Sequence, residues 1–325
     1  PFWQVMRFAA PALAAGNGVV LKHANNVPQC ALAIAQLFRD AGVPEGLFAT
    51  LLVEASEVKG LIEDSRISAV TLTGSTPVGK LVASQAGAVL KKQVLELGGS
   101  DAFIVLADAD IELAAKSAVK ARFQNVGQSC ISAKRFIVVD AVAEQFTQRF
   151  CHYTAELKVG DPMQRDVTIG PLARANLRDD LHDQVQRSVA QGAKLLMGGK
   201  FVEGPGFFYE PTVLGDVTSD MAAGCEETFG PAAAIMRVKD TEAAIALANS
   251  LDYGLGAGLW TQNVEEGAKL ARRIEAGAVF INGLVASDPR YPFGGIKQSG
   301  YGRELGVHGA REFTNIKTVW IGPAQ

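Results

Sequence analysis

The chain has 325 residues, 48% hydrophobic and 20% charged, with a net charge of −3. That length exceeds a usual single domain, and the composition is that of an α/β protein able to bury a large core, so two domains are expected. The charge balance gives no footing for nucleic acid or an acidic membrane surface, no apolar run approaches the roughly 18–20 residues of a membrane span, and no secretory signal opens the chain.

Pro1-Phe2-Trp3-Gln4 carries no initiator Met and opens directly into apolar helical sequence, which reads as a cut inside a domain. Val19-Val20-Leu21 is a short buried strand. Asn25 and Asn26 are placed to cap a following helix that has Pro28 in its first turn and Gly42 as its stop. A strand over Leu47 to Val53, a short helix through Leu61-Ile62 and a strand over Ala69 to Thr73 follow, the last ending at Gly74-Ser75 where another helix starts. Alternation of this length implies parallel strands with right-handed crossovers, and ligands in such sheets bind at the carboxyl ends of the strands.

A second α/β unit follows Gly98-Gly99. It has a strand over Phe103 to Leu106, a helix through Ala114-Ala115-Ala118, a strand over Phe136 to Val139 and a helix from Ala143 to Leu157. Beyond these come strand Ala232 to Val238, helix Thr241 to Asn249, strand Gly256 to Trp260, helix Val264 to Ile274 and strand Ala278 to Ile281. Phe293 to Gly306 is Gly-rich and reads as loop, and Lys317-Thr318-Val319-Trp320 as an edge strand that another subunit can extend. The chain is expected to divide into residues 1–98, residues 99–300 and a C-terminal tail over 301–325 that carries the edge strand.

Two phosphate-binding signatures fail. Gly74-Ser75-Thr76-Pro77-Val78-Gly79-Lys80 has Leu81 where a P-loop needs Ser or Thr, and Gly16-Asn17-Gly18 precedes a strand instead of a helix. What remains at Gly74-Ser75 is a strand ending at a helix start, either a plain cap or a cradle for a pyrophosphate. Lys22, at the end of the first strand, is either solvated or within reach of ribose hydroxyls. The four His (His23, His152, His182, His308) and four Cys (Cys30, Cys130, Cys151, Cys225) are dispersed with no metal-ligand spacing, so no metal is expected. Scattered thiols without a C-x-x-C pair imply a reducing compartment, hence a cytoplasmic protein.

Cys130 differs from the other three cysteines. It lies in Gly127-Gln128-Ser129-Cys130, a small-residue turn, 34 residues after Glu96 of Glu96-Leu97-Gly98-Gly99. A thiol open to a carbonyl carbon, with a carboxylate able to activate water, is what thioester chemistry needs. A free thiol is only about 3% thiolate at pH 7, so its surroundings must help. A Glu among Val94, Leu95 and Leu97 costs free energy unless partnered, which favours a functional role and a raised pKa.

These two motifs share the chain with Leu72-Thr73-Gly74-Ser75, Glu226-Glu227-Thr228-Phe229-Gly230-Pro231 and Pro292-Phe293-Gly294-Gly295-Ile296-Lys297. In that order and spacing the sequence resembles the NAD(P)-dependent aldehyde dehydrogenase family, from its first residue to about Trp320. The resemblance implies an aldehyde dehydrogenase-like α/β fold, with an incomplete Rossmann-type cofactor domain and an α/β catalytic domain. It implies that Cys130 forms a thiohemiacetal and then a thioester, and that Glu96 activates the water that hydrolyses it. NAD or NADP would be held by Lys22, Asn25, Gly74, Ser75, Leu97, Glu227 and Phe229. Asn25 stands where many NAD-preferring members carry Glu, and a neutral residue removes repulsion of a 2′-phosphate, so NADP is expected to be accepted.

Within the family the sequence is similar to bacterial succinate-semialdehyde dehydrogenases, through Trp3 to Arg7, Leu21 to Ala24 and Phe280 to Gly283. That likeness implies a carboxylate-binding Arg7 assisted by Ser287, with Gln124 in place of a further Arg found in some relatives and Ser132 in place of a regulatory Cys. Arg7 alone reads equally as a solvated helix residue. It also implies a homodimer or homotetramer. Pro1 matches the Pro of a Trp-Asn-Phe-Pro motif whose Asn stabilises the oxyanion, so that Asn would precede the chain. Loss of one such donor typically lowers the rate about 10²–10³-fold, and the chain as written is expected to be weak or inactive. The alternatives are another small aliphatic aldehyde, transfer of the acyl group to coenzyme A, or a non-enzymatic member of the fold.

Overall fold

Apolar runs such as Phe103-Ile104-Val105 and Phe136-Ile137-Val138 belong to strands covered on both faces, and the computed structural model, which describes residues 1–323, forms them in a seven-stranded sheet. The chain divides into two units. The first comprises Pro1–Glu96, Ser287–Gly294 and the segment from Tyr301 on; the second comprises Leu97–Ala286 and Gly295–Gly300. The boundary therefore falls between Glu96 and Leu97, and the segment after Tyr301 belongs with the first unit.

In the first unit, helix Trp3–Ala14 buries Val5, Ala9 and Ala12 against Val19 and Ile34. Strand Val19–Leu21 pairs in parallel with Phe48–Thr50 across helix Pro28–Asp40, and Ala69–Thr73 pairs in parallel with Lys92–Glu96 across helix Thr76–Ala88. Each is a strand–helix–strand crossover, as the sequence alternation requires.

In the second unit the sheet runs in the order Ala278–Ile281, Gly256–Trp260, Ala102–Val105, Arg135–Val139, Ala232–Val238, Thr212–Gly215 and Lys194–Met197. All neighbours are parallel except the last pair. Alternate residues feed opposite faces. Phe103, Val105, Phe136 and Val138 join the core under helices Ile111–Phe123 and Asp140–Ala155. Ala102, Ile104, Ile137 and Val139 join the core under helices Thr241–Asn249 and Val264–Ala271.

Three local expectations change. Asn25 and Asn26 do not cap helix Pro28–Asp40: Val27 is its N-cap, without a side-chain bond, because Asn25 is engaged by Lys22 and Glu54. The Gly-rich stretch is not all loop: it holds the short strands Ile296–Lys297 and Gly300–Tyr301, and helix Gly306–Glu312 starts at its end. Residues 317–320 make no strand, and Val319 (74%) and Trp320 (86%) stand exposed; a strand needs a paired neighbour, and these residues pair with none of the described strands.

Phe136 is fully buried, with its ring 4.9 Å from Phe150 and 5.4 Å from Phe103. Phe136→Ala should lower unfolding stability by about 3–5 kcal/mol, the usual cost of emptying an aromatic site. Denaturant unfolding of both proteins measures the difference, and a loss well under 1 kcal/mol would show that this core refills.

Candidate active site

Cys130 lies in the turn after helix Ile111–Phe123. Asn125, Val126 and Gly127 all have positive φ (55°, 59° and 68°), a left-handed run that is strained for a β-branched residue. Gly127 admits no side chain, since a Cβ would drive into the carbonyl oxygen of Gly230. That close approach packs the Cys130 turn on the segment 226–231, so two motifs far apart in sequence form one structure.

A fully buried arginine secures the junction. The guanidinium of Arg122 donates to the carbonyls of Ala133 (3.0 Å), Gly127 (3.0 Å), Thr228 (3.1 Å) and Gly230, a use of its fixed fork of donors that no other side chain matches. Burial pushes it down to about 9, and Glu227 opposes that. Lys134, also fully buried, donates to the carbonyls of Ser129 (2.9 Å) and Cys130 (2.7 Å). Glu227 accepts the Gly99 N–H at 3.0 Å through Oε1, and Phe229 is half-buried beside it in the same loop.

Leu97 is buried, and its N–H donates to the Ser299 carbonyl at 3.0 Å. The Ser299 hydroxyl donates to Gly98 (2.7 Å) and accepts from the Gly254 N–H (3.0 Å), holding the Gly-Gly corner. A Cβ on Gly99 would lie 2.9 Å from the Cys130 carbonyl oxygen. A cavity of about 50 Å³ beside the turn is lined by Gln124, Ser129, Ile131, Ser132, Leu284 and Val285 among others, with no Lys or Arg. Asp101 is fully buried, and burial pushes its carboxyl up to about 7 although Lys134 pulls it down.

In the first unit, Glu96 ends strand Lys92–Glu96 at 1% exposure, and its backbone carbonyl accepts the Gly74 N–H at 3.0 Å. Burial pushes its carboxyl up to about 9; Glu304 adds to the shift, and Arg7 and Arg303 oppose it. Ser75 is the N-cap of the 13-residue helix Thr76–Ala88 but its side chain makes no cap bond, so the plain capping alternative finds no support there. Lys22 Nζ donates to Asn25 Oδ1 at 2.8 Å, and Asn25 Nδ2 donates to Glu54 Oε2 at 2.8 Å.

Arg7 is not a solvated helix residue. It is 4% exposed, its Nε lies 2.7 Å from Glu304 Oε2, and its guanidinium stacks 4.6 Å from the Phe293 ring centre. Ser287 accepts from Trp3 Nε1 at 2.5 Å. Trp3 and Arg7 are four residues apart and share a helix face, so one helix serves both candidate substrate residues. Much of the Arg7 charge is answered by Glu304, a partner the sequence did not reveal.

Residues 1–319 match the aldehyde dehydrogenase family. The chain belongs to that family. This aldehyde dehydrogenase is 54% identical over 320 residues to the succinate semialdehyde dehydrogenase (NAD(P)+) Sad of Escherichia coli, covering 98% of this chain and 69% of that protein. It is 57% identical over 321 residues to a probable succinate-semialdehyde dehydrogenase (NADP+) of Synechocystis, covering 99% and 71%. The crystal structure of succinic semialdehyde dehydrogenase from Streptococcus pyogenes in complex with NADP+ superposes with a TM-score of 0.97 at 40% identity, covering 99% of this chain and 71% of the other. The α/β aldehyde dehydrogenase fold is thereby established.

Arg122, Lys134, Glu304 and Glu54 escaped the sequence reading. Arg122 had left a signal: it continues the buried helix stripe Ala115, Ala118, Val119, where a cation must find acceptors. Below about pH 9 the Glu96 carboxyl is mostly neutral, and only its carboxylate can act as a base. With Glu96 as the proposed base, the hydrolytic rate is expected to rise with pH toward 9. Glu304→Gln removes a nearby carboxylate and frees Arg7, which should shift that rise to lower pH; kcat profiles of both proteins test this, and a shift to higher pH would contradict it.

Proposed function

We propose that this aldehyde dehydrogenase oxidises succinate semialdehyde to succinate using NADP or NAD. The single observation that carries the reading is the built turn of Cys130, held by Arg122 and Lys134 against the loop of Glu227 and Phe229 beside a small cavity. The names of the relatives at 54% and 57% identity support the choice of aldehyde.

The residues fit a dinucleotide. A 13-residue helix whose N-cap side chain is not bonded to it offers first-turn N–H groups to a pyrophosphate at Gly74-Ser75. Lys22 with Asn25 suits the adenosine ribose, and Glu227 with Phe229 and Leu97 the nicotinamide riboside. When bound, NAD(P) supplies the hydride acceptor. Cys130 as thiolate adds to the aldehyde carbon, forming a C–S bond and an oxyanion. Loss of hydride from that carbon leaves a thioester on Cys130. Glu96 as carboxylate takes a proton from water, whose oxygen attacks the thioester; the C–S bond breaks, releasing the acid and restoring the sulfur.

Arg7 and Ser287 are the residues proposed for the distal carboxylate. One observation favours a second reading, a neutral aliphatic aldehyde: no cation lines the cavity beside Cys130. A homodimer or homotetramer is proposed through the exposed apolar residues Ile316, Val319, Trp320 and Ile321. No helix among the described residues is long and apolar enough to cross a membrane, and the free cysteines suit a reducing cytoplasm.

With the chain extended N-terminally to the length of its relatives, activity over a panel of aldehydes with each cofactor should be highest for succinate semialdehyde and absent in Cys130→Ala. Retained turnover in that variant would remove the nucleophile. Arg7→Ala should raise KM for succinate semialdehyde about tenfold or more relative to butanal, the loss of one charge-assisted contact; equal changes for both would assign Arg7 to the Glu304 pair alone.

A further inference from the structure

Lys134 is 0% exposed, although its side chain is an amine that ordinarily carries a positive charge. Two of its three N–H groups have acceptors, the carbonyls of Ser129 at 2.9 Å and Cys130 at 2.7 Å. Its nitrogen also lies 3.6 Å from Glu227 Oε1, an ion pair too long for a hydrogen bond. The same Glu227 oxygen takes the Gly99 N–H, and a Cβ on Gly99 would crowd the Cys130 carbonyl. Ammonium, carboxylate and nucleophile turn therefore form one closed cluster.

A neutral donor would satisfy two carbonyls without the desolvation that burying an ammonium demands. The charge needs its own explanation. We propose that Lys134 is a positioning residue for Cys130: it holds the carbonyls of the turn and, balanced against Glu227, places a buried positive charge that favours the thiolate of Cys130.

The charged groups around it set the balance. Burial pushes the Lys134 ammonium down from its ordinary value, Glu227 and Asp101 hold it up, Arg122 pushes it further down, and the Cys130 sulfur itself favours the charged form. Arg135 acts on the same cluster through Asp101. The ammonium is bonded to the backbone carbonyl of Cys130 itself, whereas the hydrogen bond of Glu227 goes to Gly99, and the ammonium is proposed as the dominant charge at the sulfur.

The inference rests on Cys130 as the nucleophile, and its test does not depend on turnover. The rate of iodoacetamide alkylation at Cys130, separated from the other three cysteines by peptide mass mapping, is followed from about pH 6 to about pH 10 on the full chain. Lys134→Met should raise the midpoint of the rate–pH curve by about one unit, making alkylation at neutral pH roughly tenfold slower. Lys134→Gln, which keeps a donor without the charge, should follow Met. Glu227→Gln should lower the midpoint. A folded Lys134→Met or Lys134→Gln protein with the wild-type midpoint overturns the proposal. If neither variant folds by circular dichroism, Glu227→Gln decides, and an unmoved or raised midpoint there overturns it. Active Cys130→Ala would remove the nucleophile reading while leaving the alkylation result to stand or fall by itself.

Discussion

The convergence of four backbone carbonyls on the guanidinium of Arg122 is the constraint on which the second unit's chemistry depends. Carbonyls turned inward in a buried loop would each lack a partner. One planar cation with five donors answers them together, and by doing so it fixes the Cys130 turn to the Thr228–Gly230 segment. The strained backbone at Asn125, Val126 and Gly127 is tolerated because this junction over-determines it. Removal of the guanidinium would leave several buried acceptors unsatisfied at once, which is why a single side chain can organise both motifs.

Much of the architecture was legible in the sequence because parallel sheets covered on both faces write long apolar runs. Ala69–Thr73, Ala232–Val238, Gly256–Trp260 and Ala278–Ile281 form over the ranges their apolar patterns set. Between residues 158 and 231 the sequence pattern marked no helix or strand. Helix Ala175–Ala190 buries only a narrow stripe at Leu181, Val185 and Ser188, and strand Lys194–Met197 lies at the sheet edge with Leu195 and Leu196 largely exposed. Both break the periodicities that mark central elements.

The proposed site was legible as motifs but not as a network. Glu96 and Cys130 stood out by residue type and spacing, and Glu227 through the family resemblance. Arg122, Lys134 and Glu304 were not, because a buried charge is recognised only through its partners, and those partners are backbone carbonyls or residues far along the chain. Arg7 illustrates the same limit: whether it is a surface cation or half of a buried pair depends on Glu304, nearly three hundred residues away.

The buried charges also differ in kind from the surface ones. Pairs such as Lys59–Glu63 and Arg187–Asp183 are exposed and salt-screened, and such pairs contribute about 0–1 kcal/mol each. In the second unit the carboxyl of Asp101 is pushed up and the cations of Arg122 and Lys134 are pushed down, in each case first by burial, and in the first unit burial likewise pushes the Glu96 carboxyl up. Burial thus penalises the charged form of acids and bases alike, and the fixed partners of each group set how much of that penalty it keeps. The titration of these buried groups is then governed by what keeps water out and by a few fixed partners, while the modest net charge of the chain has little bearing on it.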